Sequence, residues 1–363
     1  MPKIKAAVAR QAGEPLSIEM INLREPLSGE VEVTLKASSI CHSDISFVDG
    51  IWGDNYPAVY GHEAAGTVTS LGDGVHNIKM GDNVMVSLIR SCGTCACCSS
   101  GTPVACSTAS RHETPITADD GSQIVQGMSC GAFAERVVVD QSQLAVLPVD
   151  MKMDAASVLA CGVITGVGAV INTAELRAGD NVVVIGCGGV GLNAIQGARI
   201  AGAARIIAVD MVVDKEQDAL EFGATDFVLA SDGNPWEKVR EITKGKMADA
   251  VLVTVGNVPV YESAPNYLNF TGKIIMVGMP SVGAMAHYEP VNFAAANQSM
   301  RGSKMGDVVL ARDIPWMIDL YQQGRLKLDE LVSRHWTLEQ INEAIADTKS
   351  GTARRNVIIF DEA

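Results

Sequence analysis

Short apolar runs broken by Gly, Asp and Pro fill roughly the first 160 positions of the chain. Val31-Glu32-Val33-Thr34-Leu35 and Val84-Met85-Val86-Ser87-Leu88 follow the short alternation expected of strands. His62 follows the turn-forming stretch 53–57, and no strong helical period appears before about residue 150. This part is expected to form a small, mostly β domain.

Beyond about residue 180 the rhythm changes to strand and helix in alternation. Residues 181–185 form an apolar run, and Val190, Ala194 and Ala198 recur at helical spacing until Gly202. A strand over 205–209 precedes a helix over 214–222, with Gly223 at its C-cap, and then a strand over 226–229. Asn234 as N-cap and Pro235 at the first helical position open a helix expected to run to Gly245. Residues 250–255 and 273–277 supply further strands, and Pro265 should kink or break the helix between them. Such alternation predicts a doubly wound parallel sheet. In the tail, helices are expected near 307–323 and 338–349, the second announced by a Thr337–Gln340 capping box, before a strand over 355–360. The uncharged stretch 155–174 contains glycines, threonines, a serine and an asparagine, which suit a buried packed segment better than a bilayer.

At 363 residues the chain is too long for one ordinary core, so about two domains are expected. A 47% hydrophobic and 19% charged composition excludes a disordered or fibrous chain. Its 28 basic and 42 acidic residues give −14, with no basic cluster to attract nucleic acid or an anionic membrane. The first ten residues lack an apolar run of signal-peptide length, so a cytoplasmic location is expected. The cysteines matter more. Nine of them, an odd number crowded mostly into one stretch, make a poor disulfide framework and point to metal.

Cys92, Cys95, Cys98 and Cys106 are spaced C-x2-C-x2-C-x7-C, a set that can close all four positions of a structural Zn²⁺. Cys97 falls outside that register. Cys41, His62 and Cys161 offer two thiolates and an imidazole, which leave a fourth zinc position open for chemistry. Gly186-Cys187-Gly188-Gly189-Val190-Gly191 follows a predicted strand and opens a predicted helix, as a pyrophosphate-binding turn does. Asp210, nineteen residues past Gly191, is placed to accept ribose hydroxyls and to repel a 2′-phosphate, which favours NAD over NADP. Lys215 lies where it could bind the same ribose.

Gly61-His62-Glu63-x2-Gly66-x5-Gly72-x2-Val75, together with the four-cysteine lobe, the glycine turn and Asp210, resembles the zinc-dependent alcohol dehydrogenases of the medium-chain dehydrogenase/reductase family. The likeness runs from about residue 5 to residue 360. It implies an α/β fold in which a GroES-like, mostly β catalytic domain is interrupted by a Rossmann doubly wound parallel-sheet coenzyme domain. The expected boundaries are 1–162, 163–304 and 305–363, with the active site in a cleft between domains and two zinc ions per chain. Cys41, His62 and Cys161 would bind the catalytic zinc, Asp44 would orient His62, and Glu63 would lie close to the metal. Ser43 would bind the substrate oxygen and take its proton. His42 and Arg355 would touch the coenzyme pyrophosphate, Thr165 and Val190 would flank the nicotinamide, and backbone near Val277 and Ser303 would hold its carboxamide. Trp52, Leu88, Phe133 and Met279 would line an apolar pocket.

The resemblance implies reversible oxidation of a primary alcohol, aromatic ones included, or of a secondary alcohol to aldehyde or ketone by hydride transfer to NAD. The alternatives are an S-(hydroxymethyl)glutathione (formaldehyde) dehydrogenase, a metal-free NADPH-linked reductase, and a structural NAD- and zinc-binding protein. Retention of Cys41, Ser43, His62 and Cys161 together opposes the last. Ser46 stands where many relatives carry an outer proton-relay histidine, so the proton is expected to leave through water. Arg111, His112 and Lys304 are candidates for binding an acidic substrate tail. Family analogy implies a homo-oligomer, a dimer more than a tetramer, acting on a small-molecule alcohol or aldehyde.

Overall fold

The computed structural model describes residues 2–53, 55–108 and 112–360. Two compact units emerge. One comprises Met1–Cys161, Val309–Ile318 and Leu328–Ala363, and the other Gly162–Val308 and Asp319–Lys327.

The first unit is built on a five-stranded and a seven-stranded sheet. Its organising element is the strand Glu30–Ser39, which pairs with Glu63–Leu71, Arg136–Asp140 and Arg355–Ile359. Register sets Ser39 opposite both Glu63 and Val357, so the ends of three strands bring residues near 40, 62 and 355 together. Ile4, Val8, Val33, Leu35, Phe133 and Ile358 are fully or almost fully buried in the core beneath.

One element departs from the sequence expectation. His42–Val48 is a helix, within the region expected to lack one. It is too short to show a period. Its start is fixed locally, because the Asp44 carboxylate accepts the N–H of Cys41 at 3.0 Å.

In the second unit every strand pair is parallel. The order is Asp226–Leu229, Arg205–Asp210, Asn181–Ile185, Ala248–Val253, Leu268–Met276, Ser299–Gly302. Alternating apolar runs and helices produced this doubly wound sheet as expected. The helix Pro235–Ile242 stops short of Gly245, since Lys244 already takes a left-handed φ of 53°. Pro265 does end the next helix: Val258–Ser263 passes into a 3₁₀ turn at Ala264–Tyr267.

Among the described residues one helix, Met153–Thr173, is long and apolar enough to cross a membrane, and its most apolar stretch is 89% buried in the structure. Two of its turns are π-helical, Leu159–Val163 and Ala169–Thr173.

Arg24 and Glu30 form a partly buried fork, with Nη2 to Oε1 at 2.9 Å and Leu27 N–H also on the carboxylate. Burial works to raise the Glu30 carboxyl, yet Arg24 and the Leu27 N–H hold it below its ordinary value. A depressed carboxyl stabilises the fold above its unfolded pKa and loses that contribution as pH falls through the folded one. Arg24→Met should therefore cost about 1–2 kcal/mol near neutrality, less as acid protonates Glu30. Urea unfolding at pH 7 and pH 4 measures this, and an equal loss at both would refute it.

Candidate active site and metal centres

Strand ends and a helix turn converge on four ligating side chains in the first unit. One ligand atom each from Cys41, His62, Glu63 and Cys161 lies within 4.8 Å of the others, and all four residues are buried. Cys41 precedes the helix His42–Val48, His62 and Glu63 sit where Glu63–Leu71 begins, and Cys161 lies in the π-helical turn Leu159–Val163. Single π-turns inside helices recur at functional sites because they re-aim a side chain that a regular helix would misplace.

Asp44 holds the imidazole. Its Oδ1 lies 2.9 Å from His62 Nδ1 and accepts the Gly61 N–H at 2.9 Å, while Oδ2 takes the Cys41 N–H. A carboxylate on Nδ1 fixes the proton there and turns the Nε2 lone pair inward, as a metal ligand needs. Nε2 is 3.3 Å from Cys161 Sγ. Burial works against a charged His62, but Asp44 and Cys41 raise its pKa well above the ordinary value. A hydrogen bond from Cys161 holds the Cys41 thiol well below its usual range despite burial, and Cys161 is pushed up in return.

Glu63 is pushed up to about 8 by burial, against the pull of Arg355. The Arg355 guanidinium stands 3.3 Å from Glu63 Oε1, both side chains being almost wholly buried, and it donates to the Ile40 carbonyl. Sequence reading sent Arg355 to a pyrophosphate and missed this pairing across the chain. An arginine inside the apolar strand 355–360 was the available signal. Ser43, half-buried, has its hydroxyl 3.8 Å from Cys41 Sγ, and His42 is exposed. The donor set, two sulfurs and an imidazole with a carboxylate beside them, fits Zn²⁺ with one position left for exchange.

Cys92, Cys95, Cys98 and Cys106 form a second cluster within 4.8 Å, which does not include Cys97. Cys95 N–H and the Thr108 hydroxyl donate to Cys92 Sγ at 3.3 and 3.2 Å, and Cys92 N–H donates to Cys106 Sγ at 3.4 Å. The Thr108 hydroxyl, backbone N–H groups and Thr94 bring the Cys92 thiol down to about 5. Four clustered sulfurs, of which Cys92 and Cys106 each receive an N–H donor, fit a closed structural zinc site.

In the second unit Gly186 takes φ 97°, and a Cβ on Gly191 would fall 1.8 Å from the Gly186 carbonyl oxygen. A Cβ on Gly188 would meet nothing within 4 Å. That opening, at the start of the uncapped helix Gly189–Ala201, fits an approaching pyrophosphate. Asp210 closes the turn, accepting Cys187 N–H at 2.7 Å and Val212 N–H at 3.0 Å. Lys215 is buried at the first turn of Lys215–Phe222. Thr165 donates to Met305 Sδ at 3.8 Å, and a Cβ on Gly166 would fall 2.4 Å from the Val190 carbonyl oxygen, so both expected nicotinamide neighbours share one locality. Val277 N–H is bonded to Val253 O, and Ser303 N–H to Met276 O.

The expected pocket residues are not equivalent. Trp52 packs edge-on against Phe47 with centroids 5.6 Å apart, and Leu88 is partly buried against the core. Phe133 is 0% exposed inside that core, so it presents no pocket surface. A phenylalanine after Ala132 on a strand approach is equally good core packing, which sequence could not separate. Met279 is 60% exposed. His112 Nε2 lies 3.1 Å from the Ser28 carbonyl and lines a 340 Å³ cavity with Glu30 and Gln143, apart from the Cys41–His62 cluster. Lys304 is exposed, and Arg111 lies outside the described residues.

Comparison with known proteins agrees in kind. The family model for the alcohol dehydrogenase GroES-like domain matches residues 27–149, and that for zinc-binding dehydrogenase matches 189–323. An NDMA-dependent alcohol dehydrogenase from Amycolatopsis methanolica is 36% identical, covering 98% of this chain and 99% of its own. An S-(hydroxymethyl)glutathione dehydrogenase from Saccharomyces cerevisiae is 35% identical, covering 99% and 97%. Among solved structures, benzyl alcohol dehydrogenase from Acinetobacter calcoaceticus superposes with TM-score 0.93 at 28% identity, covering 99% and 100%.

Proposed function

We propose, for a chain that belongs to the zinc-dependent alcohol dehydrogenases of the medium-chain dehydrogenase/reductase family, that NAD is its coenzyme and an unbranched or aromatic alcohol its substrate. The observation that carries this is the buried convergence of Cys41, His62 and Cys161, with Asp44 fixing the imidazole. When bound there, Zn²⁺ supplies the Lewis acidity that favours an ionised alcohol at neutral pH, and the oxidised nicotinamide supplies the acceptor for its hydride.

The protein's own groups do the rest. Cys41 and Cys161 contribute two negative charges that moderate the metal, and Asp44 keeps His62 Nε2 facing it. Ser43 Oγ, beside Cys41, relays the alcohol proton outward; Ser46 cannot act as a base, so the proton passes to water. Asp210 accepts the ribose hydroxyls with lone pairs left over from its two backbone bonds. Gly188 leaves room for the pyrophosphate. Cys92, Cys95, Cys98 and Cys106 would hold the second, structural zinc.

The partly buried, apolar Trp52 and Leu88 support an alcohol without many hydroxyls. A second reading, S-(hydroxymethyl)glutathione as substrate, is favoured only by relatives such as the yeast enzyme. The deciding experiment assays ethanol, 1-octanol, benzyl alcohol and S-(hydroxymethyl)glutathione with NAD, with NADP and with NDMA. The expected result is highest kcat/KM for 1-octanol or benzyl alcohol with NAD, and two zinc per chain by metal analysis. Preference for the glutathione adduct would overturn the substrate, and turnover only with NADP or NDMA would overturn added NAD as the acceptor.

A further inference from the structure

The helix Met153–Thr173 contains two π-helical turns, and the first is accounted for by Cys161. The second, Ala169–Thr173, carries none of the candidate zinc ligands. A π-turn sacrifices regular hydrogen bonding and persists where it places a side chain that a regular helix would not. Here its last residue is Thr173, 1% exposed, whose hydroxyl is 2.8 Å from Ser303 Oγ and 2.8 Å from Asp307 Oδ2.

A carboxylate oxygen can only accept, and a threonine hydroxyl has one proton. Thr173 therefore donates to Asp307, and Ser303 donates to Thr173. The chain of bonds has one direction, ending on a carboxylate that also faces Arg301 Nη2 at 3.3 Å.

What these bonds hold is an unusual turn. Met305, Gly306 and Asp307 take φ of 51°, 66° and 50°, three consecutive left-handed residues of which two are not glycine. Such backbone persists only where its surroundings over-determine it, and it gathers at functional sites. The surroundings here are close. Asn172 donates to the Gly306 carbonyl at 3.1 Å, and a Cβ on Gly306 would fall 2.3 Å from the Ile164 carbonyl oxygen. The turn sets the Met305 sulfur against the Thr165 hydroxyl at 3.8 Å. Ser303 and Thr165 are the residues expected at the carboxamide and at the ring of the nicotinamide.

We propose that Thr173 is a positioning residue for the nicotinamide end of the coenzyme: through Asp307 and Ser303 it locks residues 303–307 in the left-handed turn that presents Ser303 and Met305 to that ring. The proposal rests on NAD being the coenzyme. Thr173 is itself 1% exposed and acts through these two partners. Its hydroxyl is the tie between the helix and that segment.

The test separates the two ends of the coenzyme. ADP-ribose carries the adenosine and pyrophosphate but no nicotinamide, so it reports the Gly188 and Asp210 region alone. Binding of NADH and of ADP-ribose to the zinc-loaded protein is measured by calorimetry for the unaltered chain, Thr173→Val, Thr173→Ser and Asp307→Gly. Thr173→Val should weaken NADH about tenfold and leave ADP-ribose within about twofold. Asp307→Gly tolerates the left-handed φ while losing the carboxylate, and should match it; it carries the test if Thr173→Val fails to fold. Thr173→Ser keeps the hydroxyl and should restore the original ratio. Equal weakening of both ligands, or an NADH affinity unmoved by either variant, overturns the proposal while leaving the coenzyme intact. An unaltered protein that binds neither ligand overturns the coenzyme assignment and this proposal with it.

Discussion

Replacing His62 with alanine is expected to abolish alcohol oxidation, by at least about a thousandfold, and to lower zinc from two to one per chain. The magnitude follows from what the imidazole holds. It is fully buried, clamped at Nδ1 by Asp44, and its Nε2 faces Cys161 Sγ at 3.3 Å. With it gone, two thiols remain beside the Glu63 carboxylate, which already faces Arg355, and open sites with only two strong protein ligands hold zinc poorly. The four-cysteine lobe shares no residue with this site, so the zinc proposed there should stay. Asp44→Asn supplies the graded counterpart: the ligands survive, but the amide no longer charges Nδ1–H, and zinc affinity should fall about 10–100-fold. Metal analysis after dialysis, run beside steady-state turnover, measures both. Full zinc content with undiminished turnover in His62→Ala would remove the cluster from catalysis.

How much of this was visible in the sequence depends on how local each signal is. The parallel sheet was readable because its strands are continuous apolar runs, and the glycines at 186 and 191 each answer a steric demand found in place. Gly223 likewise caps Lys215–Phe222 at φ 116°. The helix His42–Val48 was not readable, since seven residues span barely two turns and show no period. Its one cue is Asp44 three residues past Cys41, a side chain that His62 also needs. It does both jobs.

Within the candidate site, ligand identities followed from residue chemistry, while partners distant in sequence did not. Glu63 and Arg355 meet because the strand Arg355–Ile359 pairs with Glu30–Ser39, a register that no local pattern encodes. Phe133 shows the converse difficulty. An aromatic residue near a site is attractive as a pocket wall, but burial at 0% is a property of the packed core and has no signature in one residue's identity. Met305 and Asp307 were invisible for a third reason: left-handed backbone at non-glycine positions is imposed by tertiary contacts.

Removing the Asp210 carboxylate should shift coenzyme preference by about two orders of magnitude toward NADP. Asp210 ends the strand Arg205–Asp210, where each carboxylate oxygen already accepts one backbone N–H, from Cys187 and from Val212. About four lone-pair sites exist on a carboxylate, so two remain for ribose hydroxyls. Charge-assisted bonds of this kind contribute about 1.5–3 kcal/mol, which sets the expected loss with NAD at roughly tenfold to a hundredfold. The same charge opposes a 2′-phosphate, so its removal should improve NADP while NAD declines. Asp210→Asn is the less informative change, because its NH₂ group must confront one of the two N–H donors and disturb the glycine turn for reasons unrelated to ribose. Asp210→Ser avoids that conflict, keeping a hydroxyl for Cys187 N–H and clearing space beside the sugar. The glycine turn will still loosen somewhat, and that loss falls equally on both coenzymes because they share the pyrophosphate. The ratio of kcat/KM for NAD over NADP is therefore the quantity to measure. A ratio unchanged in Asp210→Ser, with both coenzymes weakened together, would show that Asp210 only braces the turn at Cys187.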